Sequence, residues 1–370
     1  MEPIRVLQVV TIMNRGGLET MLMNYYRKID RSKIQFDFMT NLSDRGHYDN
    51  EIEALGGRIY RMSPIKPGNY RKYFKELDEF FNEHKEYKVI HSHINENSGF
   101  VLRAAKNAGI SCRIAHNHVS GLGIDYKFPF RVYARLVLKN SVNNYFACSN
   151  ESAKWLFGKN IFENKEVKIL KNSVDTDIFR YDKKKSDEIK KQLEIENKFV
   201  LGHVGRFNTS KNHNFLIDVF NEIHKINNNS VLLLVGEGKL KNKLKNKVTK
   251  LNLDKHVKFL GLRSDIDKIM SSMDVFVFPS KFEAFPVTLV EAQAIGLKCI
   301  VSTGVPEEVN VTNTIEFIEL SESPQKWAEI ICNCNSEKYN SEKIIREQGY
   351  DINENVQWIS NFYINEYKNR

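Results

Sequence analysis

Apolar residues along the chain gather in short runs of about four to seven, divided by longer stretches in which they recur every third or fourth position. Runs of that length suit strands buried on both faces, and the periodic stretches suit amphipathic helices. Their alternation is the pattern of parallel sheets built from βαβ units. In the first half the runs predict strands at Arg5–Val10, Gln35–Thr40, Arg58–Met62, Val89–Ser92, Arg113–Ala115 and Tyr145–Ser149. Helices are predicted between them, among them Glu19–Ile29, Asn69–His84 and Ser98–Ala108. The second half repeats the scheme, with strands at Phe199–Val204, Val231–Val235, Val257–Leu260, Val275–Phe278 and Cys299–Ser302. The expected fold class is therefore α/β, with two doubly wound domains.

Acidic residues and the Lys183–Lys185 run interrupt the periodicity within Ser173–Asn197, which places the domains at 1–175 and 176–352 with a hinge and cleft between them. The tail Asn353–Arg370 spaces Val356, Ile359, Phe362 and Tyr363 as an amphipathic helix, expected to pack back on the first domain. Lys239–Lys250 carries Leu244 and Val248 at helical spacing, so its lysines read as a solvated helix face and not as a nucleic-acid groove.

Composition narrows the class. A chain of 370 residues, 41% hydrophobic and 27% charged, can bury two cores and is neither disordered nor fibrous. Five cysteines without a C-x-x-C pair argue against a zinc ribbon or disulfide scaffold and fit a reducing compartment. The opening MEPIRVLQVV reads as a first strand, and nowhere do about 18 apolar residues run without charge. A cytoplasmic location is expected, with any membrane contact peripheral. The net charge of +9 is uneven, +8 over residues 1–175 and +1 over the rest, so the first half is expected to face something anionic.

Ligands of open α/β sheets bind at the carboxyl ends of strands, and four such places carry chemistry. After the first strand, Gly16 and Gly17 lead into a helix whose free N–H groups can meet an anion. The dinucleotide fingerprint is incomplete there, at Gly121-Leu-Gly123 and at Gly236-Glu237-Gly238, which disfavours a nicotinamide enzyme. His91-Ser-His93 and His116-Asn-His118 stand at two successive strand ends and predict a polar cleft wall. A metal site is the rival reading, weakened because only Glu96 is near in sequence to add a carboxylate. Gly205-Arg206 with Lys211 offers two cations and backbone N–H groups to a diphosphate, although no P-loop is present. Glu283 lies in a loop after a strand, and Glu291 follows eight residues on, inside a helix that Pro286 opens. Carboxylates so placed imply partners such as ligand hydroxyls, because an unpaired buried carboxylate is costly.

Glu283 to Glu291 with the intervening Ala-Phe-Pro, followed by Glu-Ala-x-Ala-x-Gly296, resembles the E-x7-E motif of family 4 retaining glycosyltransferases. The resemblance runs in order through Gly16-Gly17-Leu-Glu19, the His-x-His segments, Asn172-Ser-Val-Asp175-x-Asp177, Gly205-Arg206-Phe with Lys211, Val235-Gly-Glu237-Gly238, Val257 to Gly261 and Asp274 to Ser280. It covers nearly the whole chain and is nearest to the bacterial transferases of exopolysaccharide and capsule synthesis. It implies the GT-B fold, two Rossmann-like domains facing across a cleft, the first for the acceptor and the second for the nucleotide sugar.

By position, the resemblance implies that Arg206 and Lys211 hold the donor diphosphate, Glu291 the ribose hydroxyls and Glu283 the donor sugar. Backbone at Gly261 and Leu262 would meet the base, Glu237 would lie on the donor side, and Phe285, Pro286, Val287 and Thr288 would line sugar and phosphate. Gly16 and Gly17 would approach the donor across the cleft. The family places a histidine of the first domain near the reacting centre, here His118 first and His116 second. Ala284 and Ser173 stand where members often have Gly. Retention is attributed in this family to same-face substitution assisted by the leaving phosphate, so Glu283 counts as a binding residue.

The expected reaction moves a sugar from a nucleotide diphosphate sugar, on family habit a UDP-sugar, to a lipid-linked or saccharide acceptor. No cofactor and no metal are expected, nor is nucleic acid a partner. An anionic membrane is a candidate partner through Tyr70–Lys75, Lys127, Arg131, Arg135 and Lys139. A nucleotide-sugar epimerase or phosphorylase on a related fold and a non-catalytic sugar-nucleotide-binding subunit are the alternatives.

Overall fold

The computed structural model describes residues 2–66, 68–119, 121, 128–283 and 285–368. Its contacts divide the chain into two units, Met1–Asn172 with Ile352–Arg370, and Ser173–Asp351. The first unit holds strands β1 (Ile4–Val10), β2 (Ile34–Thr40), β3 (Ile59–Arg61), β4 (Val89–Ser92), β5 (Cys112–Asn117), β6 (Asn144–Ala147) and β7 (Val167–Ile169). They form one sheet in the order β3-β2-β1-β4-β5-β6-β7, every pair parallel. The second unit holds β8 (Phe199–Val204), β9 (Ser230–Val235), β10 (Val257–Gly261), β11 (Val275–Phe278), β12 (Lys298–Ser302) and β13 (Ile315–Ile318). Their order is β10-β9-β8-β11-β12-β13, again all parallel.

Side chains alternate across each sheet, and both faces are covered, which is why the strands read as nearly unbroken apolar runs. In the first unit Val6, Val10, Phe36, Val89, Ile114 and Phe146 pack under the helices Gly17–Lys28 and Ile352–Lys368. The tail helix contributes Ile352, Val356, Ile359 and Tyr363 to that core. On the other face Leu7, Val9, Ile90 and Ala115 meet the helices Tyr70–Glu83 and Ser98–Asn107. Gly99 lets the latter approach the helix Phe128–Ser141, since a Cβ there would lie 2.5 Å from the Ala134 carbonyl oxygen. The second unit repeats this two-faced burial, with Val200, Val231, Phe276 and Val301 on one side and Leu201, Leu232, Val277 and Ile300 on the other.

Several element ends differ from the sequence reading. β5 continues to Asn117, so His116 lies within the strand and only His118 lies beyond it. β6 stops at Ala147, because Ser149 instead caps the helix Asn150–Phe157 in a capping box with Ser152. β7 and β13 were not expected from the pattern; both are short strands at sheet edges. The helix Lys241–Lys250 does bury Leu244 and Val248 and turns its lysines outward.

Candidate functional site

In the second unit the chain winds outward from β8 to β10 and then returns to place β11 beside β8. That reversal parts the loops after the two strands and makes their carboxyl ends the natural ligand position. The loop after β8 carries Gly205, Arg206 and Lys211; the loop after β11 carries Glu283. Two hydrogen bonds tie the loops together, Lys281 N–H to the Ser210 carbonyl at 2.8 Å and the Ser210 hydroxyl to the Phe282 carbonyl at 2.8 Å. The result is an ion pair between Lys211 Nζ and Glu283 Oε1 at 2.8 Å, with the ammonium also 4.4 Å from the Phe278 ring centre. Burial pushes the Lys211 pKa down, against the opposing pull of Glu283.

The neighbouring backbone is tightly fitted. Gly236, at φ +138°, sits so close to the β8 loop that a Cβ would lie 2.1 Å from the Gly205 carbonyl oxygen. Gly236 N–H donates to the carbonyl of Gly261, itself at φ +69°. Glu237 pairs with Lys241, and Leu262 is exposed. Pro286 precedes the helix Val287–Ala294, whose first turn, including Val287 and Thr288, has no side-chain cap. The Phe285 ring stacks on Tyr350 at 5.7 Å and so faces the core. Glu291 lies on this helix, and desolvation pushes its pKa up to about 7. Asp175 accepts a hydrogen bond from the Asp177 N–H at 3.1 Å, a turn geometry. Ala284 lies outside the described residues.

The first unit reverses in the same way between β1 and β4. Gly16 and Gly17 stand after β1, where the helix Gly17–Lys28 begins without a side-chain cap, and a Cβ on Gly17 would meet nothing within 4 Å. His91 on β4 and His116 on β5 turn their rings to the same face, and His93 and His118, just past the two strand ends, bring theirs to the same group. The cleft-wall expectation needs correcting here: His91, His93 and His116 are buried. They lie on the face covered by the helices Gly17–Lys28 and Ile352–Lys368, with Met21, Leu22, Tyr25, Phe36 and Ile359 closing around them. All four rings are held well below the ordinary imidazole pKa by desolvation, His118 at about 3.

Sequence reasoning missed the partners of these rings. His91 Nδ1 is 2.6 Å from the Tyr363 hydroxyl and His91 Nε2 is 3.1 Å from His116 Nδ1. His93 bridges His118 Nε2 at 2.9 Å and Gln8 Oε1 at 2.9 Å. Gln8, on β1, could have been noticed as a polar residue inside an apolar strand; Tyr363 reads from sequence only as part of an apolar stripe. His91, His93 and His116 also bring three ring nitrogens within 4.8 Å of one another, a grouping that could hold a metal ion.

The basic segment of the first half falls on two adjoining helices, Tyr70–Glu83 and Phe128–Ser141, joined by stacking of Tyr70 on Phe130 at 4.2 Å. Arg71, Lys72, Lys75 and Lys139 are exposed, Arg131 is 4.0 Å from Glu96, and Arg135 lies over Trp155. Between them Phe128, Val132, Tyr133 and Leu136 are exposed apolar residues. Lys127 lies outside the described residues. Among the described residues no helix is long and apolar enough to cross a membrane.

Known proteins resemble the chain along its whole length. The family described as Glycosyl transferases group 1 matches residues 185–352, and Glycosyltransferase Family 4 matches residues 15–178. The putative glycosyltransferase EpsF of Bacillus subtilis (strain 168) is 35% identical over 369 residues, 97% of this chain and 96% of that one. The capsular polysaccharide biosynthesis glycosyltransferase CapH of Staphylococcus aureus is 28% identical over 98% of this chain and 99% of its own. An Escherichia coli UDP-Gal:alpha-D-GlcNAc-diphosphoundecaprenol alpha-1,3-galactosyltransferase is 32% identical over 59% of this chain and 58% of its own. Anabaena HepE, solved with UDP and glucose, superposes with a TM-score of 0.76 at 19% identity, over 96% of this chain and 98% of that one, and has the same fold.

Proposed function

The chain belongs to the group 1, family 4 glycosyltransferases, of GT-B fold, and on that premise we propose that it moves a sugar, with retention, from a UDP-sugar to a lipid-linked saccharide during exopolysaccharide or capsule synthesis. The observation that carries the reading is the Lys211–Glu283 pair at the reversal of the second sheet. A cation and a carboxylate held by loops from two adjacent strands suit the two halves of a sugar diphosphate. Lys211 and Arg206 neutralise the diphosphate, and charge developing on the leaving phosphate meets cations already in place, which is the economical way to stabilise it. Glu283 accepts hydrogen bonds from sugar hydroxyls, and Glu291 from the ribose. Backbone of Gly261, Leu262 and the Phe285–Thr288 segment lines base, sugar and phosphate, with Glu237 nearby. Gly16, Gly17, His118 and His116 are the first unit's own candidate substrate-binding residues, His118 before His116.

The donor and acceptor classes draw support from the relatives. The Escherichia coli enzyme is named for a UDP-linked galactose and a diphosphoundecaprenol acceptor, the Staphylococcus aureus protein for capsular polysaccharide, and HepE was solved with UDP. An acceptor on a lipid diphosphate suits the exposed apolar residues Phe128, Val132, Tyr133 and Leu136 beside Arg71, Lys72, Lys75 and Lys139. Flotation with anionic and neutral vesicles tests that part: enrichment with anionic vesicles is expected, and equal, negligible binding to both removes it.

Nucleotide release from a panel of UDP-, GDP- and ADP-sugars, with and without EDTA, tests the chemistry. One UDP-sugar is expected to be turned over in the presence of EDTA, with Lys211→Ala and Glu283→Ala each at least about tenfold slower. Preference for a GDP- or ADP-sugar, or full activity in both variants, overturns the reading. A lipid-linked saccharide extract supplies the acceptor arm.

A further inference from the structure

The four histidines of the first unit form two hydrogen-bonded strings, and both begin at Gln8. One runs from Gln8 Oε1 to His93 Nε2 at 2.9 Å and from His93 Nδ1 to His118 Nε2 at 2.9 Å. The other runs from Gln8 Nε2 to the Tyr363 oxygen at 3.4 Å, on to His91 Nδ1 at 2.6 Å, and from His91 Nε2 to His116 Nδ1 at 3.1 Å. Counting protons gives each bond a direction. The Gln8 carbonyl oxygen can only accept, so His93 donates through Nε2–H. A neutral imidazole carries one N–H, and desolvation holds all four rings neutral. His93 Nδ1 is then an acceptor, and His118 donates to it through Nε2–H.

The second string follows the same rule. The Gln8 amide donates to the Tyr363 oxygen, and the Tyr363 hydroxyl, fully buried with the chain around it, donates to His91 Nδ1. His91 therefore donates through Nε2–H to His116 Nδ1, which leaves the His116 proton on Nε2. All four rings are Nε2–H tautomers. Each string ends in a buried atom that finds no partner among the described residues, an acceptor at His118 Nδ1 and a donor at His116 Nε2.

We propose that Gln8 and Tyr363 are positioning residues that set the tautomers of His118 and His116, so that the first presents a lone pair and the second an N–H at the ends of the strings. Turning the Gln8 amide over would reverse every donor in both strings and produce four Nδ1–H rings, so a single amide orientation governs the network. The assignment stands on the hydrogen bonds and on the neutrality of buried rings, and its catalytic meaning rests on the role of His118 proposed above. Both ring nitrogens of His91 and of His93 are already bonded, so a metal ion on His91, His93 and His116 would have to break a bond in each string, and occupancy by metal and the intact strings are mutually exclusive.

Histidine-selective 15N labelling of the full chain tests the proposal through long-range 1H–15N spectra, which report which ring nitrogen is protonated. The wild type is expected to show His91, His93, His116 and His118 each in a single Nε2–H form, and metal analysis to find no stoichiometric ion. Tyr363→Phe, with one hydroxyl removed, is expected to turn His91 and His116 into tautomer mixtures, and Gln8→Met all four, while circular dichroism melts confirm that the variants fold. Single tautomers retained in both variants, or a stoichiometric metal with the rings ligated, overturn the proposal. If Gln8→Met fails to fold, the Tyr363→Phe spectrum decides alone. Should the competent tautomer of His118 fall to about a third in Gln8→Met, donor turnover falls about threefold with donor KM unchanged. Altered tautomers with unaltered turnover uphold the network and remove His118 from the reacting centre.

Discussion

Both sheets reverse their winding at the same topological position, and the two units fill that position with opposite chemistry. At the ends of β8 and β11 the second unit holds charge, with Lys211 paired to Glu283 and Arg206 in the same loop. At the end of β4, which borders the reversal with β1, and of β5 beside it, the first unit holds four neutral rings whose polar atoms are spent largely on one another. The topology decides where the chain opens, and the side chains decide what can enter. A charged pair can exchange its partner for a phosphate, whereas a neutral network offers directional donors and acceptors without net charge.

The largest expected difference between the units is their response to acid. Rings whose folded pKa lies far below 6.5 bind protons only after unfolding, so the stability they contribute is complete above about pH 6.5 and is lost as pH falls. Each ring adds to the loss as pH falls below that point, and the four act in the same direction. His203 and His213 act in the same direction in the second unit. Glu291 opposes them: its pKa is raised from 4.5 to about 7, which favours the fold in acid. Hydrogen exchange at pH 7 and pH 5.5, corrected for intrinsic rates, should show the greater loss of protection in the first unit. Equal loss in both breaks the comparison.

A smaller effect isolates the opposing term. Between pH 4.5 and pH 7 the folded state holds the Glu291 proton more tightly than the unfolded chain, so this group's contribution declines as pH rises, by about 3 kcal/mol in all. Glu291→Gln cannot ionise. Its melting temperature relative to that of the wild type, followed from pH 5 to pH 8, should rise as pH rises; parallel curves would show that Glu291 is solvated and ionised throughout.

Particular residues show what could be read from sequence. Strands such as Val231–Val235 and Val275–Phe278 stand out because both faces are buried, leaving an apolar run with no alternation to misread. β7 and β13 escaped because short edge strands are partly exposed and carry polar residues, Lys168 and Glu316 among them. The end of β5 was hidden by His116 and Asn117, polar residues that look like a loop until their partners are known. In the second unit, Lys211 and Glu283 were each legible from their motifs, but their pairing depends on the Ser210 contacts to the next loop. The histidine network was the least legible part, since Gln8 and Tyr363 are 355 positions apart and only packing of the tail helix unites them.

UDP affinity tests the central contrast most directly, measured by calorimetry on the wild type, Lys211→Ala and His118→Ala. Removing the cation should weaken UDP binding about tenfold or more, while removing the neutral ring leaves it within about twofold and lowers only turnover. Unchanged affinity in Lys211→Ala, or an equal loss in His118→Ala, would contradict the assignment of the diphosphate to the charged end of the second sheet.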